Sequence, residues 1–332
     1  MAPGGPSLCR ALPLPVPGGR GGAVVSVRAG IAYAVWPLGE GPGLLWQVID
    51  RAEELGIDSL WFIDRLVGQA PIPEPVVMMA AVAARTRRIK FGPSVLALGL
   101  RHPVLLAREL ATLDVVSGGR LLPAVGLGRD DQYEAVAMGV DPREKARRTD
   151  EGIEIMRLLW TQERVTYYGR HYRLEGVSIW PRPVQQPSPP VWIGGASDAA
   201  LRRVARLGDG WLASRISPGE VAEALPRLWR YLDEAERDFE RDHVGVIVPV
   251  YLHPDRDEAL AVAARRLTVT RPDLTLEEYT AFGPPEDCLR LLRRYVEAGA
   301  TKFVLLLVCP PEEALGQLDL AAQEVIAPLE GR

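Results

Sequence analysis

The sequence predicts an α/β protein, a (β/α)8 TIM barrel with insertions after strands 4 and 7. Eight short apolar runs of strand length alternate with runs of helical periodicity from Arg28 onward. Strands that are apolar throughout fit a parallel sheet covered on both faces, which such a barrel provides. The 332-residue length accommodates one large barrel domain, typically about 250 residues. A doubly wound open sheet is the competing architecture.

Taken in order, residues 1–27 hold Pro3, Pro6, Pro13, Pro15 and Pro17 with Gly18, Gly19, Gly21 and Gly22. Neither helix nor strand suits that composition, so a disordered tail is expected, followed by a barrel domain over 28–330. The prolines also interrupt the apolar stretch a secretory leader needs, and a cytoplasmic location is expected. The strand candidates are Ala29 to Trp36, Ser59 to Asp64, Ile89 to Leu96, Leu121 to Gly126, Val191 to Gly194, Gly210 to Ser214, Val244 to Leu252 and Lys302 to Val308. Between them Leu44, Leu45, Val48, Ile49, Ala52 and Leu55 recur at helical spacing, as do Ile153, Met156, Leu159 and Trp160. Pro103 suits a first helical turn and Gly118-Gly119 a helix stop. Two connections, Arg164 to Pro190 and Pro254 to Pro284, are too long for simple loops and read as insertions.

Composition removes several functions. With 39 Lys+Arg against 43 Asp+Glu and no basic run, nothing is present to neutralise a nucleic-acid backbone. The longest apolar stretch ends at Arg85, well short of a bilayer span. Cys9, Cys288 and Cys309 are too few and too scattered for a disulfide framework or a cysteine zinc site. His102, His171, His243 and His253 show no metal-ligand spacing, so no metal is expected. No nucleophile elbow is present, and the reactive group is therefore expected from a cofactor.

In a barrel, only residues just beyond a strand's C-terminal end face a substrate. That rule selects Asp64-Arg65, Ser94-Val95, Gly126-Leu127-Gly128-Arg129, Gly194-Gly195-Ala196-Ser197 and Ser214-Arg215. The turn at Gly194 to Ser197 opens a helix with Ser197 as N-cap, where main-chain amides and the helix dipole suit a phosphate; a tight turn that binds nothing is the other reading. Gly126 to Gly128 lets a ligand approach the main chain, but Asp131 stands where a dinucleotide fingerprint needs its third glycine. Arg65 and Arg129 bring planar cations to the mouth, for an anionic small molecule or for structural ion pairs.

The segments AEELGIDSLWFIDR, RHPVLLARELATLDVVSGGRLLPAVGLG, GIEIMRLLW, PRPVQQPSPPVWIGGAS and GDGW together resemble the bacterial luciferase-like flavin and deazaflavin oxidoreductases. The resemblance implies a barrel binding coenzyme F420 or FMN at its C-terminal face, commonly as a homodimer. It implies cofactor contacts from Asp64, Ser94, Val95, Gly126, Leu127, Gly128, Gly194, Gly195, Ala196 and Ser197. A non-prolyl cis peptide is implied at Ser94-Val95, and phosphate binding at Gly194 to Ser197. Where many deazaflavin-dependent relatives carry Asp-His after strand two, this chain has Asp64-Arg65; their acid after the strand-four glycines is Arg129 here. Arginine cannot take a proton at neutral pH, which disfavours alcohol oxidation by that route. Arg65 and Arg129 are therefore expected to stabilise negative charge, with Tyr33 and His102 as candidate proton donors. Trp36 and Trp61 are candidates to wall the site or to pack in the core. Three functions follow: an F420-dependent hydride-transferring oxidoreductase, an FMN-dependent monooxygenase served by a separate flavin reductase, or a flavin-binding barrel without turnover.

Overall fold

A computed structural model of the chain describes residues 26–37, 41–68, 70–129, 132–267 and 271–332. The tail expected over 1–27 lies outside them, apart from its last two residues. Eight parallel strands form a barrel: β1 (Arg28–Tyr33), β2 (Ser59–Phe62), β3 (Lys90–Pro93, resuming as Leu96–Ala97), β4 (Ala124–Gly126), β5 (Trp192–Gly194), β6 (Gly210–Ser214), β7 (Val244–Leu252) and β8 (Lys302–Leu307). Each falls within a predicted run, except that β1 starts one residue earlier and the resumed part of β3 ends one residue later. Pairing runs from β3 through β2 and β1 to β8, then through β7, β6 and β5 to β4. The ring closes across the broken third strand: Lys90–Pro93 pairs with β2, Leu96–Ala97 with β4, and Phe91 bridges Leu121.

Both faces of the strands are covered. Ala32, Trp61, Ala124, Trp192, Leu212 and Val304 pack together in one layer, while Ile31, Tyr33, Leu60 and Phe62 belong to the larger core shared with the helices. The indole rings fit inside because the register partner on the neighbouring strand is a glycine. A Cβ at Gly210 would lie 2.4 Å from Trp192, and one at Gly92 would lie 2.9 Å from Trp61 and 2.2 Å from the Leu122 carbonyl. At the strands' N-terminal ends, buried Lys302 is hydrogen-bonded to Asp58 and to Ser59 Oγ, which also accepts from Trp61 Nε1 at 2.9 Å. A polar cluster thus plugs that end.

The helices carry the expected signals. In Gly43–Glu54 the buried residues are Leu45, Val48, Ile49 and Ala52, and in Lys145–Thr161 they include Ile153, Met156, Leu159 and Trp160. Pro103 opens Pro103–Ser117, and Gly118 closes it with φ of 68°. No helix among the described residues is long and apolar enough to cross a membrane.

The stretch Arg164 to Pro190 contains an antiparallel hairpin, Val165–Tyr168 with Arg173–Val177. It follows the helix after β4, not β4 itself. Tyr167 donates to Glu154 at 2.7 Å, and the amides of Arg170 and His171 donate to Glu151, so the hairpin lies along the helix's outer side. The second insertion does reach the C-terminal face. After β7 come the helix Arg256–Arg266, the turn Leu276–Tyr279 and a strand Ala281–Gly283 that pairs with Val250–Leu252 of β7.

Candidate active site

A cavity of about 270 Å³ opens at the C-terminal ends of the strands. Its walls come from Ala34 and Val35 after β1, Ile63, Asp64 and Arg65 after β2, and Ser94 within β3. Arg129, Ser214, Arg215, Ile247, Pro249 and Leu306 follow from later strands, and Arg266 and Leu267 from the second insertion. Four arginines against one carboxylate in otherwise largely apolar walls give the lining an excess of cationic residues, which suits an anion.

The lone lining carboxylate among the described residues is already engaged. Asp64, with its side chain 1% exposed, accepts from Arg101 Nη2 at 2.7 Å and from the Ala97 amide at 2.9 Å. Arg101 also reaches Glu74 at 3.0 Å; burial alone would lower its pKa, but the two carboxylates hold it above the ordinary value. With Ser94 N–H donating to Phe62 carbonyl at 2.8 Å, the end of β2 pins both halves of β3. Arg65 Nε lies 4.0 Å from Glu134 Oε1, a carboxylate that also accepts from the Leu66 amide. The Arg129 carbonyl accepts from Lys145 Nζ at 2.5 Å.

Next to the cavity the main chain forms a bare cradle. The Ser94-Val95 peptide is cis. Val95 fills the space that side chains at Gly126 and Gly194 would take: added Cβ atoms would lie 2.7 and 3.1 Å from its Cγ2. Gly128 has φ of 74°, and its Cβ would lie 2.8 Å from that of Ala97, with Leu127 half-buried beside it. Gly195 adopts φ of 110°, and its carbonyl is held on the helix side by Trp211 Nε1 at 2.7 Å. Ser197 caps the helix Asp198–Leu207 by accepting from the Ala200 amide, a contact typically contributing about 1 kcal/mol. The amides of Ala196 and Ser197 donate to no group among the described residues. Glycines where a side chain would collide, beside open amides at a helix start, fit a flat ring with a phosphate on its tail.

Tyr33 and His102 do not join this site. Tyr33 is the outward partner of inward Ala32; it is 1% exposed, and its hydroxyl donates to the Ala314 carbonyl at 3.0 Å. Burial pushes its pKa well above the ordinary value. His102 occupies the N-cap position of Pro103–Ser117, is exposed, and turns its ring against Tyr172 of the hairpin. Trp36 stacks on Phe62 in the outer core, and Trp61 lies in the inner layer below the cavity. Sequence reasoning missed Arg266, because nothing local distinguishes it from Arg265 in an insertion. Glu240, Asp242 and His243 come within metal-ligand reach of one another just before β7, at the opposite end of the barrel.

Residues 39–273 match the family model described as luciferase-like monooxygenase. The chain belongs to this family. Among curated luciferase-like relatives, an F420-dependent glucose-6-phosphate dehydrogenase of Microbacterium testaceum is 33% identical over 280 residues, covering 80% of each chain. One of the same name from Amycolatopsis mediterranei is 29% identical, covering 80% of this chain and 88% of its own. The fold is that of the monooxygenase RslO1 from Streptomyces bottropensis, with TM-score 0.79 and 24% identity over 91% of this chain and 99% of that one. An F420-dependent secondary alcohol dehydrogenase superposes with TM-score 0.77 and 21% identity over 92% and 99% of the two chains.

Proposed function

We propose that this luciferase-like barrel is a coenzyme F420-dependent oxidoreductase acting on a small anionic substrate. The observation that carries the reading is the cationic cavity, with Arg65, Arg129, Arg215 and Arg266 beside the bare glycine cradle. The relatives named for F420 support the cofactor. Ser94, Val95, Gly126, Leu127, Gly128, Gly194 and Gly195 would hold the ring, and the amides at Ala196 and Ser197 its phosphate. Asp64 acts indirectly, by fixing β3 through Ala97 and Arg101. When bound, the deazaflavin supplies or accepts a hydride.

Arg65 and Arg129 orient the substrate's anionic group and stabilise negative charge that develops as hydride moves, which a low-dielectric site makes effective. Because a guanidinium does not accept a proton at neutral pH, this pair favours reducing an electron-poor acceptor over oxidising a sugar hydroxyl. Glucose 6-phosphate, named in the relatives' activity, shares the anionic character but needs a base for its hydroxyl proton.

The test is parallel fluorescence titration with oxidised deazaflavin and FMN. This is followed by turnover assays with glucose 6-phosphate and with anionic enones, nitro compounds and carbonyls. Deazaflavin binding with turnover of an anionic acceptor is expected; tight binding of FMN alone would favour the monooxygenase reading and overturn this one. Binding without consumption across the panel would favour a non-catalytic barrel.

The same reading includes a homodimer. Helices Pro75–Arg85 and Pro103–Ser117 expose Val77, Leu105 and Val116 at 67%, 59% and 61%, and Val76, Ala80 and Leu113 line a groove between them. Free, buried Cys288 and Cys309 suit a reducing cytoplasm.

A further inference from the structure

Arg215 is one of two described non-glycine residues with positive φ, at 53°, and it lines the cavity directly after β6. Such a backbone conformation persists when its surroundings over-determine it, and here the surroundings are identifiable. Arg271, in the insertion after β7, donates from Nη1 to the Arg215 carbonyl at 2.9 Å and from Nη2 to Glu220 Oε1 at 2.9 Å. Glu220 is itself fixed by the capping box that starts the helix Pro218–Glu234, its other oxygen accepting from the Ser217 amide at 2.8 Å. Asp273 takes Arg271 Nε at 2.7 Å, and buried Tyr279 takes the Arg271 amide at 3.2 Å. One guanidinium therefore ties together the cavity-lining backbone at Arg215, the helix that follows it and the insertion that brings Arg266 to the pocket. A planar fork with five donors can serve these acceptors at once, whereas an ammonium cannot present that geometry.

We infer that Arg271 is a positioning residue for anion recognition, acting through Arg215. This rests on the proposed function, in that it takes the cavity to be the substrate site. Arg271 is not among the residues lining the cavity, so its contacts act there through what it holds, and Arg271→Lys, which keeps the charge, separates that role from charge alone.

The experiment measures inorganic phosphate binding by calorimetry to the full-length protein, with and without deazaflavin, for Arg271→Gln, Arg215→Ala and the double variant. Arg271→Gln is expected to weaken phosphate about tenfold, as Arg215→Ala does, and the double variant to match Arg215→Ala within twofold. Deazaflavin affinity should stay within twofold in all three. Multiplying effects in the double variant, an unchanged Arg271→Gln, or no phosphate binding to the unsubstituted protein would each overturn the inference. Failure of the functional reading looks different: the unsubstituted protein would not bind deazaflavin. Should Arg271→Gln fail to fold, Arg271→Lys replaces it with the same expectations, since it keeps the charge but loses the fork.

Discussion

Val95 is clasped between two glycines, and that contact can be measured. Gly126→Ala would place a methyl 2.7 Å from Val95 Cγ2, about 1 Å inside an ordinary carbon contact of roughly 3.5–4.0 Å. Val95 has little room to turn away, because Gly194 approaches both of its methyls closely enough that a Cβ there would lie 3.1 and 3.2 Å from them. Overpacking of this kind costs about 1–3 kcal/mol. Val95→Ala alone removes two methyls from a half-buried site, about 1–2 kcal/mol. In the double variant the new methyl occupies vacated space, so the combined loss should fall short of the sum by at least about 1 kcal/mol, beyond the ~0.5 kcal/mol scatter of independent sites. Urea unfolding followed by tryptophan fluorescence gives the cycle, and deazaflavin titration of the same variants tests whether the clasp also shapes the cradle. Additive losses would refute the argument that Val95 and Gly126 compete for one volume.

Asp64→Ala should cost about 2–4 kcal/mol in urea unfolding, because it strands a half-buried Arg101 and the Ala97 amide while Glu74 still offers partial compensation; a loss below about 1 kcal/mol would contradict the pinning role. Glu53 accepts from the amides of Arg87, Arg88 and Ile89, and although burial pushes its pKa up, these contacts bring it below the ordinary carboxylate value. A depressed carboxylate stabilises above the unfolded-state pKa and loses that contribution as pH falls through the folded value. Urea midpoints measured from pH 6 downward should therefore decline less steeply for Glu53→Gln than for the unsubstituted chain. Leu105→Glu, in the exposed apolar groove between helices, should shift the mass found by light scattering from dimer to monomer without changing deazaflavin affinity.

Much of the architecture was legible because a parallel barrel writes its strands as apolar runs bounded by turns and helices. The same property hid side-chain direction. In Ile31-Ala32-Tyr33 every residue is buried on one face or the other, so no polar alternation says that Ala32 turns inward and Tyr33 outward. His102 was misplaced for a related reason: closeness to the mouth in sequence does not say which way an N-cap side chain points. Arg65 and Arg129 could be placed at the cavity, and the two glycine turns beside it, because they follow strands directly and the barrel rule applies to them. Arg266 and Arg271 reach their places through an insertion whose path is set by tertiary contacts with Arg215 and Glu220, and no local pattern encodes those.

The short strand Ala281–Gly283 continues the wall of the barrel beyond the point where β6 stops pairing with β7. The cup consequently has an uneven rim, higher on the side built by a detachable piece of chain. Because that strand pairs only with the last three residues of β7, while residues 245–250 carry the seam with β8, its length and composition can change with most of that seam left in place. The scaffold can thus be refitted for new cargo largely through this one insertion, as long as its mooring at Arg215 and Glu220 is kept or replaced.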